Sequence, residues 1–347
     1  MARLYDSLII GSGPAGLSSA LGLGRVHRTC AIFSNSTYRN AGIHAAHAIL
    51  GHDGKSPEEI RNAGRKEIDA YGHAEFVEAT IVKVSRSQTS NGLHSIFSVS
   101  DSVGREWRGR TVILATGVED MFPDLPGYRE NWPQNIYQCL FCDGHERYQQ
   151  LKAVLCYPNV NLISIKMATM AHFQSYPPGS NGTSSSGKSL VRVLTNGPAN
   201  PENDKSISSA LKVLSAYGIE VDERPVSKLV ADAKQGVHVH FETQESLHFG
   251  WIFHKPTTEL SSTTKSFVDQ LELATTTTPY GTTIKAEPPM NSTSVPGLFV
   301  VGDVGNMMTH VTTAISSGMG ASGAVSHFCN EWDDADALLQ IEGQKKE

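Results

Sequence analysis

Tyr5-Asp6-Ser7-Leu8-Ile9-Ile10-Gly11-Ser12-Gly13-Pro14-Ala15-Gly16 is the stretch that decides the fold. Its mainly apolar first half predicts a β-strand, its second half is a GxGxxG motif, and residues 17–23 continue with helical character. In a strand–turn–helix setting the glycines permit a tight turn and let the backbone approach a pyrophosphate at the helix N-terminus. The chain therefore begins with a predicted dinucleotide-binding α/β unit.

The end of the second predicted strand, residues 29–33, departs from that pattern. An acidic residue commonly ends this strand and holds the adenosine ribose. Ser34 and Asn35 stand there instead, with Arg39 a few residues on. Both side chains can hydrogen-bond a ribose hydroxyl without carrying charge.

Two later segments indicate a flavin. Residues 111–117 form a predicted buried strand that ends in Ala-Thr-Gly, which leaves room for a flavin at the sheet edge. Residues 297–304 contain a second predicted strand, which ends in Gly302-Asp303. A carboxylate at that place can accept hydrogen bonds from ribityl hydroxyls. A small-residue helix is predicted over residues 309–325, with its N-terminus toward the flavin. The charged tail after Asp333 is predicted to fray.

A CxxC motif, Cys139-Leu140-Phe141-Cys142, is followed directly by Asp143-Gly144-His145. Such a pair can close a disulfide or hold a thiolate, and it can equally be half of a zinc site or two core cysteines. Neither a second CxxC nor a histidine pair at ligand spacing accompanies it, so the sequence predicts a redox disulfide and no metal site.

Composition bounds the class of protein. The 347 residues, 39% hydrophobic and 18% charged with a net charge of −6, predict two globular domains and give no reason to expect nucleic acid or an anionic membrane. There is no apolar run of bilayer length and no recognisable export signal, and five cysteines are too few for a disulfide scaffold. We therefore expect a cytoplasmic protein.

The region 118–250 is predicted to be a second dinucleotide-binding domain that has lost its ligand. Its strand at residues 153–157 is followed by Pro158-Asn159-Val160-Asn161-Leu162, without a glycine. Glu202, Asp204 and a single Lys205 follow the next strand, where a 2′-phosphate would need basic residues. A match to the P-loop pattern at residues 182–189 lacks the required flanking strand and helix, so we interpret it as a surface loop.

GSGPAG, ILATG, CxxCDG and GLFVVGD, in this order, resemble the low-molecular-weight thioredoxin reductases over nearly the whole chain. The resemblance implies an α/β fold of two Rossmann-like three-layer domains: a split FAD domain, 1–117 and 251–347, and an inserted, degenerate NADPH-like domain, 118–250. It also implies a homodimer. The missing NADPH motifs, the Tyr38-Arg39-Asn40-Ala41 segment and the CLFC sequence resemble the dithiol oxidases of natural-product pathways such as gliotoxin, holomycin and romidepsin biosynthesis.

By that resemblance one set of residues contacts FAD. These are Gly11, Gly13, Pro14, Ala15, Gly16, Ser34, Asn35, Ser36, Thr37, Tyr38, Arg39, His47, Ala115, Gly302, Asp303, His310 and Val311.

The resemblance also implies a mechanism. Cys139 faces a small-molecule dithiol, Cys142 faces the flavin, and the substrate leaves as a disulfide while O2 becomes H2O2. Asp143 is the expected proton donor and His145 the alternative base. Three other interpretations stay open: a thioredoxin or disulfide reductase supplied by a protein donor or NADPH, a flavin oxidase of a substrate without thiols, and a non-catalytic redox sensor.

Overall fold

The computed structural model describes residues 3–90, 92–177, 188–199 and 204–344. The strands in this part of the chain are β1 Leu4–Ile10, β2 Cys30–Ser34, β3 Ala74–Glu78, β4 Ile81–Gln88, β5 Ser95–Asp101, β6 Glu106–Leu114, β7 Glu119–Met121, β8 Ile136–Tyr137, β9 Lys152–Leu155, β10 Val191–Leu194, β11 Glu220–Asp222, β12 Val226–Ala231, β13 Val237–Phe241, β14 Ser246–Phe249, β15 Trp251–Phe253, β16 Thr257–Glu259, β17 Thr275–Thr278, β18 Gly281–Ile284 and β19 Leu298–Val300. The helices are α1 Pro14–Arg25, α2 Pro57–Asp69, α3 Tyr128–Asn131, α4 Leu162–Gln174, α5 Lys205–Ala216, α6 Ser262–Gln270 and α7 Val311–Gln344.

The chain divides into two compact units. Unit 1 comprises Met1–Ala45, Ile49–Asp120 and Thr258–Glu347, and unit 2 comprises Ala46–Ala48 and Met121–Thr257.

Unit 1 is built on parallel strands in the order β3-β2-β1-β6-β19, and the antiparallel meander β4-β5-β6 shares β6. Leu8 and Ile10 of β1 pack into a core with the meander and α6, while Ile9 packs into a second core with α1 and α7. Alternate residues of a strand point to opposite faces, so a sheet buried on both faces needs the continuous apolar run that β1 has. A smaller sheet, β17-β18-β16-β7, adjoins the points where the chain passes between the units.

Unit 2 repeats this plan with parallel strands in the order β11-β10-β9-β15-β8 and a three-stranded antiparallel sheet, β12-β13-β14. Val154 of β9 packs with α4 and α5, whereas Ala153 and Leu155 pack with the antiparallel sheet. The predicted α/β class with two Rossmann-like domains is confirmed.

Two local predictions need correction. Residues 251–257 belong to unit 2, because β15 pairs with β9 and β8. The tail beyond Asp333 does not fray at that residue, since α7 continues to Gln344 and Asp333 forms ion pairs with Arg28 and Arg110.

Candidate active site

The carboxyl edge of the unit 1 sheet gathers three of the predicted motifs. The amides of Ala115 and Val301 donate to the carbonyls of Ile10 and Leu114, 2.9 Å in each case, so the ends of β1, β6 and β19 lie side by side. Gly11, Ala115 and Gly302, far apart in sequence, follow these ends. Ligands of open α/β sheets bind at such an edge.

The glycine-rich turn is shaped for close backbone approach. Gly11 has a φ of +114°, and a Cβ there would lie 2.2 Å from the carbonyl oxygen of Ala115. A Cβ on Gly16 would lie 2.0 Å from the Gly11 carbonyl oxygen, and one on Gly302 would lie 2.9 Å from the Ala15 side chain. Any larger residue at these positions would force the turn, the sheet and α1 apart.

The N-terminus of α1 is open. Gly13 is its N-cap residue, Pro14 is its first residue, and no side chain of the described residues caps it. A Cβ built on Gly13 would meet no heavy atom within 4 Å. The first turn also contains no acidic residue. Free backbone amides and the positive end of the helix dipole are the features that bind a pyrophosphate.

A cluster of hydroxyl groups stands where an acid usually binds the ribose. Ser12 Oγ donates to Ser34 Oγ at 2.6 Å and lies 2.9 Å from Tyr38 Oη. Ser36, whose φ is +61°, donates its amide to Ser34 Oγ, and Asn35 Oδ1 accepts from the amide of Thr37. Sequence reasoning missed Ser12, although its place between two motif glycines, opposite the end of β2, was the available signal.

Arg39 holds two carboxylates. Its guanidinium donates to both oxygens of Asp120, at 2.6 and 3.0 Å, and to Asp303 at 2.9 Å. Burial raises the pKa of the Asp303 carboxyl, and the positive charges of Arg39 and His310 oppose that shift. Arg39, predicted as an FAD contact, is thus bound to the Asp303 motif. Asp120 was missed, because nothing local marks it as the partner of a residue 81 positions away.

The last two residues of unit 1 that were predicted to contact FAD, His310 and Val311, lie at the start of α7. Val311 is the first residue of the helix, and the carbonyl of His310 accepts from the amide of Ala314 at 2.9 Å. His310 lies near enough to Asp303 for its charge to act on that carboxyl.

His47 is a residue of unit 2. Its segment, Ala46–Ala48, belongs to unit 2, where His47 Nε2 is 3.5 Å from Glu146 Oε1. Within unit 2, His47 is therefore grouped with the segment that carries the CxxC motif.

Cys139 and Cys142 form a disulfide with their Cα atoms 5.3 Å apart. The amides of Cys142 and Asp143 both donate to the Cys139 carbonyl, at 3.2 and 3.1 Å, which closes a turn around the bridge. Gln174 of α4 donates to the carbonyls of Leu140 and Asp143 and fixes this turn from one side. Both cysteines are half-buried, and Phe141 between them is 66% exposed. The predicted disulfide is confirmed.

The glycine after Asp143 is needed for packing. Gly144 has a φ of +95°, and a Cβ there would lie 2.9 Å from the ring of Trp251.

The surroundings of Asp143 alter the pKa of its carboxyl group. Burial raises the pKa of its carboxyl to about 6, the charge of His47 opposes the shift, and that of Glu146 adds to it. His145 is exposed, and its ring stacks on that of Tyr148 at 6.0 Å between centroids. A carboxyl that titrates near neutrality can both take up and release a proton at physiological pH.

The matching turn of unit 2 is closed. Asn161 is the N-cap residue of α4, and its side chain accepts from the amide of Ser164 at 2.8 Å. Asp204 caps α5 in the same way through the amides of Ser206 and Ile207. Glu202 and most of the P-loop match at residues 182–189 lie outside the described residues, so the predictions for them stay predictions.

Comparisons with known proteins place this geometry in a class. A family model described as pyridine nucleotide-disulphide oxidoreductase matches residues 5–155. The chain is 34% identical to thioredoxin reductase sirT of Leptosphaeria maculans, over 94% of both proteins. It is 31% identical to thioredoxin reductase tcpT of Claviceps purpurea, over 99% of this chain and 98% of that protein.

Solved structures agree with these relatives. The crystal structure of HlmI superposes with a TM-score of 0.83 at 25% identity, covering 99% of each chain. An oxidoreductase from Agrobacterium tumefaciens superposes with a TM-score of 0.79 at 26% identity, covering 94% of this chain and 98% of that one.

The protein is therefore an oxidoreductase of the flavoprotein disulfide class. Within that class the chain belongs to the thioredoxin reductase family. No helix in the described ranges is both long enough and apolar enough to cross a membrane.

Proposed function

We propose that the protein is an FAD-dependent dithiol oxidase. It converts a small-molecule dithiol to the cyclic disulfide through the Cys139–Cys142 bridge and passes the electron pair to dioxygen, giving hydrogen peroxide. Both sulfur–hydrogen bonds of the substrate are lost, one sulfur–sulfur bond forms, and O2 takes up two electrons and two protons. A small dithiol of secondary metabolism is the substrate class.

The observation that carries this proposal is the contrast between two helix N-termini. That of α1 in unit 1 is uncapped, with open space over Gly13, and suits a pyrophosphate. That of α4 in unit 2 is occupied by the Asn161 side chain, and the preceding turn contains no glycine. In unit 2 a side chain of the protein thus occupies the place where a nicotinamide cofactor would put its phosphates. This supports the proposal that the enzyme takes its electrons from a thiol substrate and not from a nicotinamide.

The residues of unit 1 fit FAD. The glycine turn and α1 would hold its pyrophosphate, the Ser12–Ser34–Tyr38 hydroxyls its adenosine ribose, and Asp303 its ribityl chain. FAD held by these residues would supply a two-electron acceptor for the reduced CxxC and a route for the electron pair to dioxygen. Arg39 fixes Asp303 by direct ion pairing, so the carboxylate is oriented before the cofactor arrives.

The thiol chemistry belongs to the CxxC turn. A substrate thiolate attacks Cys139, which breaks the bridge and frees Cys142 as a thiolate. The second substrate thiolate then attacks the substrate sulfur of the mixed disulfide, which expels Cys139 and leaves the cyclised product. The exposed Phe141 offers an apolar surface beside the attacked bond.

Proton transfer is assigned to Asp143. As a carboxylate it accepts a proton from the incoming thiol. As an acid it returns a proton to Cys139, the sulfur that is expelled when the product forms. Its raised pKa of about 6 keeps both forms accessible. The His47 imidazole and the Arg147 guanidinium stabilise the carboxylate form.

The second copy expected in a homodimer would cover apolar surface of unit 1. Ile315 and Met319 lie one turn apart on α7 and are 37% and 54% exposed. Met290, 50% exposed, follows Pro289, whose backbone packs against Gly320 of the same helix. Met319→Glu should convert a dimer to a monomer in light scattering, and a monomeric wild type would refute this part of the proposal.

The test is oxygen uptake by the purified flavin-loaded enzyme with dithiothreitol, with and without NADPH. We expect uptake with the dithiol alone, stoichiometric peroxide and no effect of NADPH. Cys142→Ser should abolish uptake while the protein stays yellow, and Cys329→Ser, at a free buried cysteine outside the motif, is the matched control. Bleaching of the flavin by NADPH would overturn the proposal.

The names of the relatives favour a second candidate, a reductase of thioredoxin or another protein disulfide. For that enzyme, dithiols would reduce the flavin but oxygen would reoxidise it slowly. Reoxidation much slower than turnover would therefore point to a protein electron partner.

A further inference from the structure

We propose that Asp232, His238 and His248, on the antiparallel sheet of unit 2, form a site for a divalent transition metal, with zinc as the favoured ion. One ligand atom from each of the three residues lies within 4.8 Å of the other two. The proposal is independent of the oxidase activity, since none of these residues belongs to the CxxC turn or to the nucleotide site.

The sheet places both histidines on one face. Val237, Val239 and Phe241 of β13 are buried in the core, so His238 and His240 point to the opposite face. His248 of β14 is the direct cross-strand partner of His238, and their ring centroids are 4.9 Å apart. Side chains directly opposite on adjacent strands share a face and can chelate one ion.

The carboxylate is held in place by the hairpin turn. Asp232 follows β12, and its Oδ1 accepts from the amides of Lys234 and Gln235 at 2.8 and 3.3 Å. Oδ2 is thereby directed at His238 Nε2, 2.8 Å away. Neighbouring ligands bonded to one zinc ion lie about 3.0–3.4 Å apart, so small rotations suffice for an ion to replace the shared proton.

A fourth ligand is close by. The Gln235 carbonyl oxygen lies 3.0 Å from His248 Nε2, at the tip of the same turn. Two imidazoles and one carboxylate, with a carbonyl or water as the fourth ligand, form a donor set that zinc accepts. A bound ion would tie the β12–β13 turn to β14 and close the outer face of this sheet.

No sequence motif indicates this site. The prediction of no metal rested on the surroundings of the CxxC, and the three donors are separated by six and ten residues without a ligand-spacing motif. Strand pairing alone brings them together.

The experiment is zinc titration of the full-length, chelator-treated protein against a chromophoric zinc indicator. Cys139→Ser/Cys142→Ser serves as the background, so that no thiol pair competes, and the other cysteines are buried. We expect one equivalent of zinc. His248→Ala and Asp232→Asn should each weaken binding by at least about tenfold. His240→Ala, on the same strand and face but outside the cluster, should leave the affinity unchanged.

Thermal unfolding supplies a second readout. An ion that binds only the folded chain raises its melting temperature. Zinc should therefore raise that of the background and of His240→Ala, but not that of His248→Ala. Because His248 is exposed, its replacement should leave the metal-free melting curve unchanged. Equal zinc affinity in His248→Ala and His240→Ala, or no binding by the background protein, would overturn the proposal.

Discussion

Units 1 and 2 each contain five parallel strands, and four of them follow the same order; the last edge strand is β19 in unit 1 and β8, which precedes β9 in the chain, in unit 2. The helices that follow the equivalent strands β1 and β9 nevertheless begin differently. In unit 1, Gly13 leaves the first amides of α1 open, and the first turn of the helix contains no acidic residue. In unit 2, Asn161 satisfies an amide of α4 with its own side chain. One fold thus presents an open helix N-terminus in the first unit and a platform for a disulfide in the second. Topology alone does not decide which ligand a Rossmann-like domain retains.

The largest expected effect comes from giving unit 1 the cap that unit 2 has. Gly13→Asp meets no steric obstacle, and the carboxylate would cap α1 and repel a pyrophosphate. We expect an intact fold with flavin affinity lowered by about a hundredfold or more, since like charges in contact cost several kcal/mol. The measurement is flavin content and affinity, with circular dichroism to confirm folding.

Asn161→Asp is the matched control in unit 2, where a capping oxygen is kept and a negative charge is added. It should leave flavin affinity unchanged. Equal flavin content in Gly13→Asp and wild type would mean that α1 is not the pyrophosphate site.

Buried charges also differ between the units. In unit 1, Arg39 is shared by Asp120 and Asp303, all three largely shielded from solvent. Asp120→Ala should lower the free energy of unfolding by about 3 kcal/mol, because it removes a bidentate partner from a buried cation. Chemical denaturation followed by circular dichroism measures this loss.

Glu259→Gln, in the exposed pair with Lys265, provides the comparison, and it should cost less than about 1 kcal/mol. If Asp120→Ala were no more harmful than Glu259→Gln, the Arg39 network would not be a structural element of unit 1.

Local patterns made much of this molecule predictable. GSGPAG fixed a strand, a turn and a helix within a dozen residues, and its required glycines follow from steric contacts inside that motif. The CxxC likewise closes its own turn. In both cases the interacting groups are neighbours in sequence, so composition and spacing carry the information.

Residues joined by long-range pairing could not be found in this way. Asp120 meets Arg39 across 81 positions, and Asp333 of α7 meets Arg28 across 305 positions. The Asp232–His238–His248 cluster exists because strand register sets His238 opposite His248. Each contact depends on topology, which hydrophobic periodicity predicts only as a class.

Under the proposed function, unit 1 binds the flavin, and unit 2 should contribute a titrating carboxyl, that of Asp143, to catalysis. The dithiol-dependent rate should rise with pH through about 6, the pKa of Asp143, because the carboxylate is the form that accepts a proton. Asp143→Asn should lower that rate by about a hundredfold. It should also remove the rise near pH 6, the acidic limb of the pH–rate profile, and leave only the rise from ionisation of the substrate thiol near pH 8–9. The measurement is oxygen uptake across pH at saturating dithiol.

His145→Gln is the companion variant, and it should keep the limb near pH 6. Loss of the limb in His145→Gln with retention in Asp143→Asn would transfer the role of base to the histidine.

The smallest expected effect concerns the buried cation of unit 2. Lys152 is fully buried, and its ammonium donates to the Tyr148 carbonyl and to Ser175 Oγ, each at 2.6 Å. These acceptors are neutral, unlike the carboxylates around Arg39, so burial lowers the lysine pKa from 10.5 to about 7.

The unfolded chain therefore binds a proton that the folded chain lacks between about pH 7 and pH 10.5, and stability should rise with pH across that window. Lys152→Met should remove this slope and raise the free energy of unfolding at pH 7 by about 1 kcal/mol. Denaturation midpoints across that range measure both effects, with the exposed Lys265→Met as control. Identical slopes in wild type and Lys152→Met would show that the buried lysine stays protonated, and that unit 2 tolerates an uncompensated charge where unit 1 needs two carboxylates.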